Sequence, residues 1–445
     1  MKRIIALFLA VAMIFAFAAC AKSVTQESTT QSDVASDSSS QKESAVTEET
    51  KTSAEEDVTI SFFSNLTDRN NGQGLIEQQL LDMYMEEHPN VHIEVETLDD
   101  SSFKTKFKAY VTSNEVPDIS NLWVAPYWID PLMDANVFEP IDQSVIDKYN
   151  FASGSLDMAT RDGKTYALGR NTDVMIFYYN KELFEQYDVA VPTTFDELLE
   201  AGKTFKDAGI IPVAMAGADG WTDSHWVTAI IGQLIGSKTS DSLSKAITSG
   251  DFSAPYWTEA CDLAVKGAQE LFDYGFETCD YATSQNLFIN GQAAMWWMGS
   301  WEMSLETDFE LGAFAMPIVS EDNDSALFAF PGAGYAVSAN SAHKDVAMDI
   351  LLFMFEPEHW SKMCWQSGIC MSAQDFYEYQ TGKETDVQKD ILNELSNASS
   401  WTGLNYKDYD PQMEPYCNDG ALAMLAGITT PQEYIAYLTD AAAKR

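Results

Sequence analysis

Between Val58 and Trp123 the chain switches repeatedly between two apolar periods, and this alternation narrows the possible folds more than any other feature. Val58–Phe63 (VTISFF) is a β-branched and aromatic run, followed over 64–74 by a polar turn containing glycine. Ile76, Leu80, Leu81 and Tyr84 then recur at helical spacing, and Val91, Ile93 and Val95 alternate as a second strand. Phe103, Phe107, Tyr110 and Val111 mark another helix face, and Pro117–Trp123 reads as a third strand with its exit loop. Strands separated by helices of this length predict the α/β class, with a mainly parallel sheet flanked by helices on both faces.

The pattern restarts after Gly163. Val174–Tyr179 is a buried strand, and Thr194 with Glu197 three residues on predicts a capping box opening a helix whose face carries Phe195, Leu198, Leu199 and Phe205. Ala293–Met298 and Phe314–Val319 read as further strands, and Val346, Ile350, Phe353 and Met354 as a core helix. The 388 residues from Val58 to Arg445 suit two or three domains rather than one.

The first 57 residues are of another kind. Lys2 and Arg3 precede an apolar run, Ile4–Ala19, which has the form of a secretory signal peptide over 1–19. Its end, Phe17-Ala18-Ala19-Cys20, resembles the lipobox of bacterial lipoproteins, which implies that Cys20 is acylated and becomes the mature N-terminus. Several acyl chains hold a protein stably to a bilayer, at about 0.8 kcal/mol per buried CH₂. Residues 21–57 contain no Gly, Pro or aromatic residue and carry nine acidic residues against three lysines. Such a segment cannot bury enough apolar surface to order itself and self-repels, so 20–57 is expected to act as an extended tether.

The whole chain holds 68 acidic and 26 basic residues, a net charge of −42. A surface this acidic repels phosphate backbones and anionic lipid, which argues against nucleic acid and leaves the lipid as the sole membrane contact. Cys261, Cys279, Cys364, Cys370 and Cys417 form no CxxC motif, and burial is the expectation for all five, with any disulfide undetermined. His88 and His92 are split by Pro89, so they cannot align on one helix face, and no metal or cofactor is expected.

Several strings occur in a telling order: Val116-Pro117-Asp118-Ile119, Asp162-Gly163-Lys164-Thr165-Tyr166-Ala167-Leu168, Phe177-Tyr178-Tyr179-Asn180-Lys181-Glu182-Leu183-Phe184 and Pro192-Thr193-Thr194-Phe195-Asp196-Glu197-Leu198. Phe288 with Gly291-Gln292-Ala293-Ala294-Met295 and then Gly299-Ser300-Trp301 follow. Together they resemble family 1 of the bacterial extracellular solute-binding proteins, the sugar-capturing subunits of ABC importers. The resemblance implies a two-lobed, hinge-connected periplasmic-binding-protein-like fold of type II. Mapped onto this chain, one lobe comprises 58–168 plus 309–342 and the other 173–305 plus 345–445. Crossings are expected near Gly169–Thr172, Glu306–Phe309 and His343. It also implies a monomer without enzymatic activity, on the outer face of the cytoplasmic membrane of a bacterium, more in keeping with a Gram-positive one, that passes its ligand to permease subunits.

A sugar presents hydroxyls and apolar C–H faces, so its site needs aromatic plates with carboxylates and amides. Trp123, Trp221 and Trp301 lie where loops leave expected strands, and by the resemblance they match ligand-stacking positions; the plainer alternative is that each is core. Asn65 and Asp68 after the first strand, and Asn171 and Asp173 before the strand at the expected hinge, could accept or donate hydrogen bonds, although Asn and Asp also favour turns and caps. His225 and Tyr416 are candidates by loop position. Gly332 and Gly334 suggest a turn with a close backbone approach. Trp296 and Trp297 point to opposite faces of a strand and are set aside.

A glycosidase also combines aromatic and acidic residues, and its carboxylate pair is defined in space rather than in sequence. The chain has no GxSxG, HExxH, P-loop or dinucleotide fingerprint. Peptide or polyamine capture is a further alternative, because related two-lobed proteins bind such ligands, and a polyamine suits the negative charge.

Overall fold

The computed structural model describes residues 56–319, 326–401, 403 and 412–444. The signal peptide, Cys20 and the tether as far as residue 55 lie outside these described residues. In chain order the elements that position the site are β1 (Val58–Ser64), α1 (Gly72–Glu87), β2 (Val91–Thr97), α2 (Asp100–Ser113), β3 (Ile119–Trp123), β4 (Leu168–Gly169), β5 (Thr172–Asn180), α3 (Phe195–Asp207), β6 (Ile211–Ala214) and α4 (Trp221–Ile235). They continue with α5 (Tyr281–Ile289), β7 (Ala293–Gly299), β8 (Leu311–Ala315), β9 (Ala329–Pro331), β10 (Ala333–Val337), α6 (Lys344–Met354), α7 (Trp360–Gln366), α8 (Asp386–Asn397), α9 (Glu414–Leu425) and α10 (Pro431–Ala442).

The first sheet has the order β2-β1-β3-β10-β4. β1 pairs in parallel with both β2 and β3, as the opening β-α-β pattern predicts, whereas β10 runs antiparallel to β3. Alternating side chains of β1 serve opposite faces: Ile60 and Phe62 pack with α1, and Phe63 packs with Phe103 and Phe107 of α2.

The second sheet, β8-β5-β7-β6 with β9 also on β5, is mixed rather than mainly parallel. Only β7–β6 is parallel, while β5 runs antiparallel to β7, β8 and β9. β5 enters from the first sheet, so its direction is set by the crossing and not by a helical connection. The capping box of α3 is present: Thr194 Oγ1 accepts from Glu197 N at 3.2 Å, and Glu197 Oε2 accepts from Thr194 N at 3.2 Å. β8 begins and ends before the expected 314–319, because Pro317 has no N–H to give and the ladder on β5 stops at Ala315.

Three short segments run side by side between the sheets. Arg170 N donates to Ala333 O at 2.8 Å, Gly332 N to Asn171 O at 2.9 Å, and Thr172 N to Met371 O at 3.1 Å, with a bridge between Asn171 and Ser372. The crossings are therefore 169–172, 331–333 and 370–373. Residues 169–172 are among the expected segments; 306–309 and His343 are not among these three. Residues 306–309 stay within the second sheet, between β7 and β8, and His343 precedes α6, which packs on the first core. Two assignments change accordingly. β8 and β9 (within 309–331) belong to the second sheet, and α6 and α7 (within 344–366) bury Ile350, Met354 and Trp360 against Ile60, Phe62 and Leu80. Cys261, Cys364, Cys370 and Cys417 are buried and Cys279 is half-buried; Cys261, Cys279, Cys364 and Cys370 are free thiols. No helix of the described residues is long and apolar enough to cross a membrane.

Candidate functional site

The crossings carry polar side chains that most of the chain keeps outside. Arg170, only 4 % exposed, donates through Nη1 to Asn121 Oδ1 at 2.7 Å and reaches Asn65 Oδ1 at 3.3 Å through Nη2. Its guanidinium also lies over the Tyr335 ring, 5.6 Å from the centroid. Tyr335 in turn donates to Glu77, whose carboxylate is bound by Arg69 and by Ser64 Oγ at 3.0 Å. This network holds the loop after β1 to the first crossing, and it explains Asn65 as a partner of Arg170. Asp68 is exposed and serves its own loop, accepting from Asn70 N at 2.9 Å and Asn71 Nδ2 at 3.1 Å; those bonds hold its carboxyl below the usual range.

Asp173 is buried at the start of β5, where Asn171 Nδ2 donates to it and Ser300 Oγ lies 3.4 Å away. Burial pushes its pKa up to about 6, opposed by Asn171, by the Arg170 charge and by Ser300. Gly332 lies directly over this carboxylate: a Cβ there would collide with Asp173 and Asn171. Gly334 lets β10 approach the Leu168 carbonyl. Both glycines belong to a crossing and its strand, not to a turn. The close approach expected of them is present, and its partner is the chain itself.

The tryptophans fall into two groups. Trp123 ends β3 half-buried, edge-on to Phe103 at 5.7 Å and to Trp128 at 5.3 Å, with Lys104 Nζ 4.5 Å from its centroid. Trp221 opens α4 and Trp301 follows β7, both half-buried, with ring centroids 5.8 Å apart. His225 lies 5.2 Å from Trp221 and 5.1 Å from Phe328, and Phe330 lies 6.3 Å from Trp301. Burial alone lowers the His225 pKa to about 3, so the imidazole is neutral at any ordinary pH. The groups meet through the backbone, since Val124 N, next to Trp123, donates to Gly332 O at 3.1 Å, two residues beyond Phe330. Trp296 and Trp297 are fully buried on opposite faces of β7.

Tyr416 joins neither group. It stands on α9 and pairs with Tyr437 of α10 at 5.3 Å. The residue of α9 that reaches the first turn of α4 is Asn418, whose Oδ1 accepts from Ser224 Oγ at 2.6 Å. Asp223, in that same turn, is wholly buried with both carboxylate oxygens lacking a hydrogen-bond partner, and burial pushes its pKa well up. Arg170, Asn121, Lys104 and Asn418 were missed by sequence reasoning. Arg170 alone had a signal, as a cation inside an expected crossing. A cavity of about 310 Å³ lined by Glu87, His88, Tyr149, Asp349, Glu356 and His359 lies at the ends of α1 and α6 and shares no residue with the aromatic groups. Among the described residues no cluster of His, Cys, Asp and Glu is arranged to hold a metal ion.

Residues 64–359 match the family model of the bacterial extracellular solute-binding protein. This chain belongs to that family. Among curated relatives of this solute-binding protein, the multiple sugar-binding protein of Streptococcus mutans is 24% identical over 320 residues, covering 68% of this chain and 72% of the relative. The maltotriose-binding protein of Pyrococcus abyssi is 25% identical over 249 residues, covering 55% of this chain and about half (51%) of its own length. Among solved structures, a chitin oligosaccharide binding protein superposes with a TM-score of 0.77 at 18% identity, covering 87% of this chain and 98% of that one. RafE in complex with raffinose gives 0.68 at 18% identity, covering 86% and 98%. These likenesses establish the two-lobed fold.

Proposed function

We propose that this solute-binding protein captures a mono- or oligosaccharide between its lobes and hands it unchanged to the permease of an ABC importer. The observation that carries the reading is the half-exposed indole pair Trp221–Trp301, after β6 and β7 respectively, with Phe330 beside it and Trp123 close to the crossing. Flat apolar rings with amides and carboxylates nearby are what a sugar's C–H faces and hydroxyls require. The sugar ligands in the names of the relatives support the same substrate class. Asn65, Asp68, Asp173, Gly332, Gly334 and Tyr416 enter this proposal only at the edges, since each already has a structural partner or a close neighbour within the fold.

The lobes in this reading are 56–169 with 333–370, and 172–319 with 326–331, 374–401 and 412–444. Ligand binding between them supplies the differential affinity that shifts an open form to a closed one about the three crossings. The protein works as a monomer without catalysis and with no cofactor or metal. It is held to the outer face of the membrane by acylated Cys20 and the tether, and mass spectrometry of the mature N-terminus tests that anchor: an unmodified terminus downstream of Cys20 removes it.

Calorimetry and melting shifts with maltotriose, raffinose and chitin oligosaccharides test the substrate class, with the recovered sugar analysed for cleavage. A saturable heat with one of them and intact sugar are expected. Release of reducing ends would make the protein a hydrolase, and a shift with spermidine but with no sugar would make it a polyamine receptor.

A further inference from the structure

The indole N–H of Trp301 does not point to solvent. It donates to the hydroxyl oxygen of Tyr281 at 2.7 Å, Tyr281 donates to one oxygen of Glu302, and Gln285 Nε2 donates to the other at 2.9 Å. The chain runs in one direction only. Indole has a donor and no acceptor, so the tyrosine oxygen must accept from it and is left with its own proton for the carboxylate. A carboxylate at the end of such a chain strengthens the bonds before it. Tyr281 and Gln285 are four residues apart and therefore share one face of α5, whose first turn is fixed by Asp280 accepting from Thr283 N at 2.8 Å.

On its other side the Trp301 ring lies against the backbone of Gly299, where a Cβ would collide with the ring carbons. The plate is thus gripped between a glycine of β7 and a tyrosine of α5. This grip is not needed to dock α5. Trp296 Nε1 already donates to Ser284 Oγ at 3.0 Å, and Phe288 is fully buried against the same sheet.

We propose that Tyr281, Glu302 and Gln285 are positioning residues for sugar binding, fixing the Trp301 indole in one orientation before the ligand arrives. The inference rests on the sugar-binding reading above. A plate already ordered in the empty protein spares the ligand the cost of ordering it, which is where affinity is gained.

The test uses Tyr281→Phe, Glu302→Gln and Glu302→Ala, each also combined with Trp301→Phe, with affinity measured for whichever of maltotriose, raffinose or chitin oligosaccharides binds the parent protein. Tyr281→Phe and Glu302→Ala are expected to weaken binding about tenfold with the melting point of the empty protein nearly unchanged, and Glu302→Gln, which still accepts from Tyr281, to restore most of the loss. In the Trp301→Phe background the same changes are expected to have no further effect, because the group they orient is gone. Fluorine NMR of 5-fluorotryptophan-labelled protein without ligand supplies a second readout, with the Trp301 line assigned by Trp301→Phe. That line should move or broaden in Tyr281→Phe. Unchanged affinity with an unchanged line overturns the positioning role while leaving the sugar site intact, as does an equal loss in both backgrounds. No binding of any sugar by the parent protein overturns the sugar reading itself.

Discussion

The two sides of the crossing are built of different materials. On the first-lobe side, Arg170, Asn121, Asn65, Tyr335, Glu77 and Arg69 form a continuous network of charged, phenolic and amide groups, four of the six buried, with Arg170 Nε and Asn121 Nδ2 left over. On the second-lobe side, Trp221, Trp301, His225, Phe328 and Phe330 present ring to ring; Trp301 Nε1 is bonded to Tyr281, while His225 Nδ1 and both Asp223 oxygens have no partner. A directional network of hydrogen bonds fixes shape. A ring cluster leaves flat apolar faces, half-buried at Trp221 and Trp301, that something else can cover.

If that contrast is right, Arg170→Ala should give the largest change in stability, because it leaves Asn121, Asn65 and Tyr335 facing a hole. Breaking a buried charged network costs about 3–5 kcal/mol, readable by urea unfolding. A loss below about 1 kcal/mol would mean that the network is ornamental. Gly332→Ala should cost about 1–3 kcal/mol by forcing a methyl group onto Asp173. Trp301→Ala should do the reverse of Arg170→Ala: the empty protein should melt almost where the parent does, while sugar affinity falls more than tenfold by calorimetry. A collapsed empty protein with intact affinity per folded molecule would return Trp301 to the core.

Acidity separates two buried groups of the second lobe, His225 on α4 and Asp173 on β5. His225 stays neutral down to about 3 in the folded chain but takes its proton near its ordinary 6.5 when unfolded, so its contribution is full above 6.5 and is lost as the pH falls toward 3. Asp173 has the opposite sign: held up to about 6 from an ordinary 3.8, it contributes fully below 3.8 and loses that contribution as the pH rises through 6. Urea unfolding from pH 4 to 7.5 should therefore show His225→Gln gaining on the parent as the medium becomes more acid, and Asp173→Asn gaining as it becomes more alkaline. Parallel profiles would refute the assignment. The smallest effect belongs to Lys104→Ala, which bares one face of Trp123 and should change sugar affinity only about two- to fivefold, since a cation–π contact at a half-exposed site contributes about 0.5–1 kcal/mol.

The opening β-α-β unit, the capping box at Thr194 and the inward faces of α1 and α3 were legible because each is a local pattern of period 2, period 3.6 or a three-residue offset. The sense of β5 was not, since alternation records which face is buried and not the direction of the neighbouring strand. The second and third crossings escaped for a related reason: 331–333 and 370–373 are too short to show any period. Trp221 and Trp301 could be picked out as loop aromatics. Their supports could not, because the partner of the Trp301 indole lies 20 residues earlier in sequence, and Arg170 meets Asn65 across 105 residues.

The three crossings have a mechanical consequence. Parallel cords knotted to one another by main-chain bonds at Arg170, Asn171 and Thr172 resist sliding and twisting far more than folding along their common line. On the proposed reading, a swing of one half against the other is thereby reduced to a single angle, and a permease that touched both rims would need to gauge only that angle to tell a loaded carrier from a vacant one.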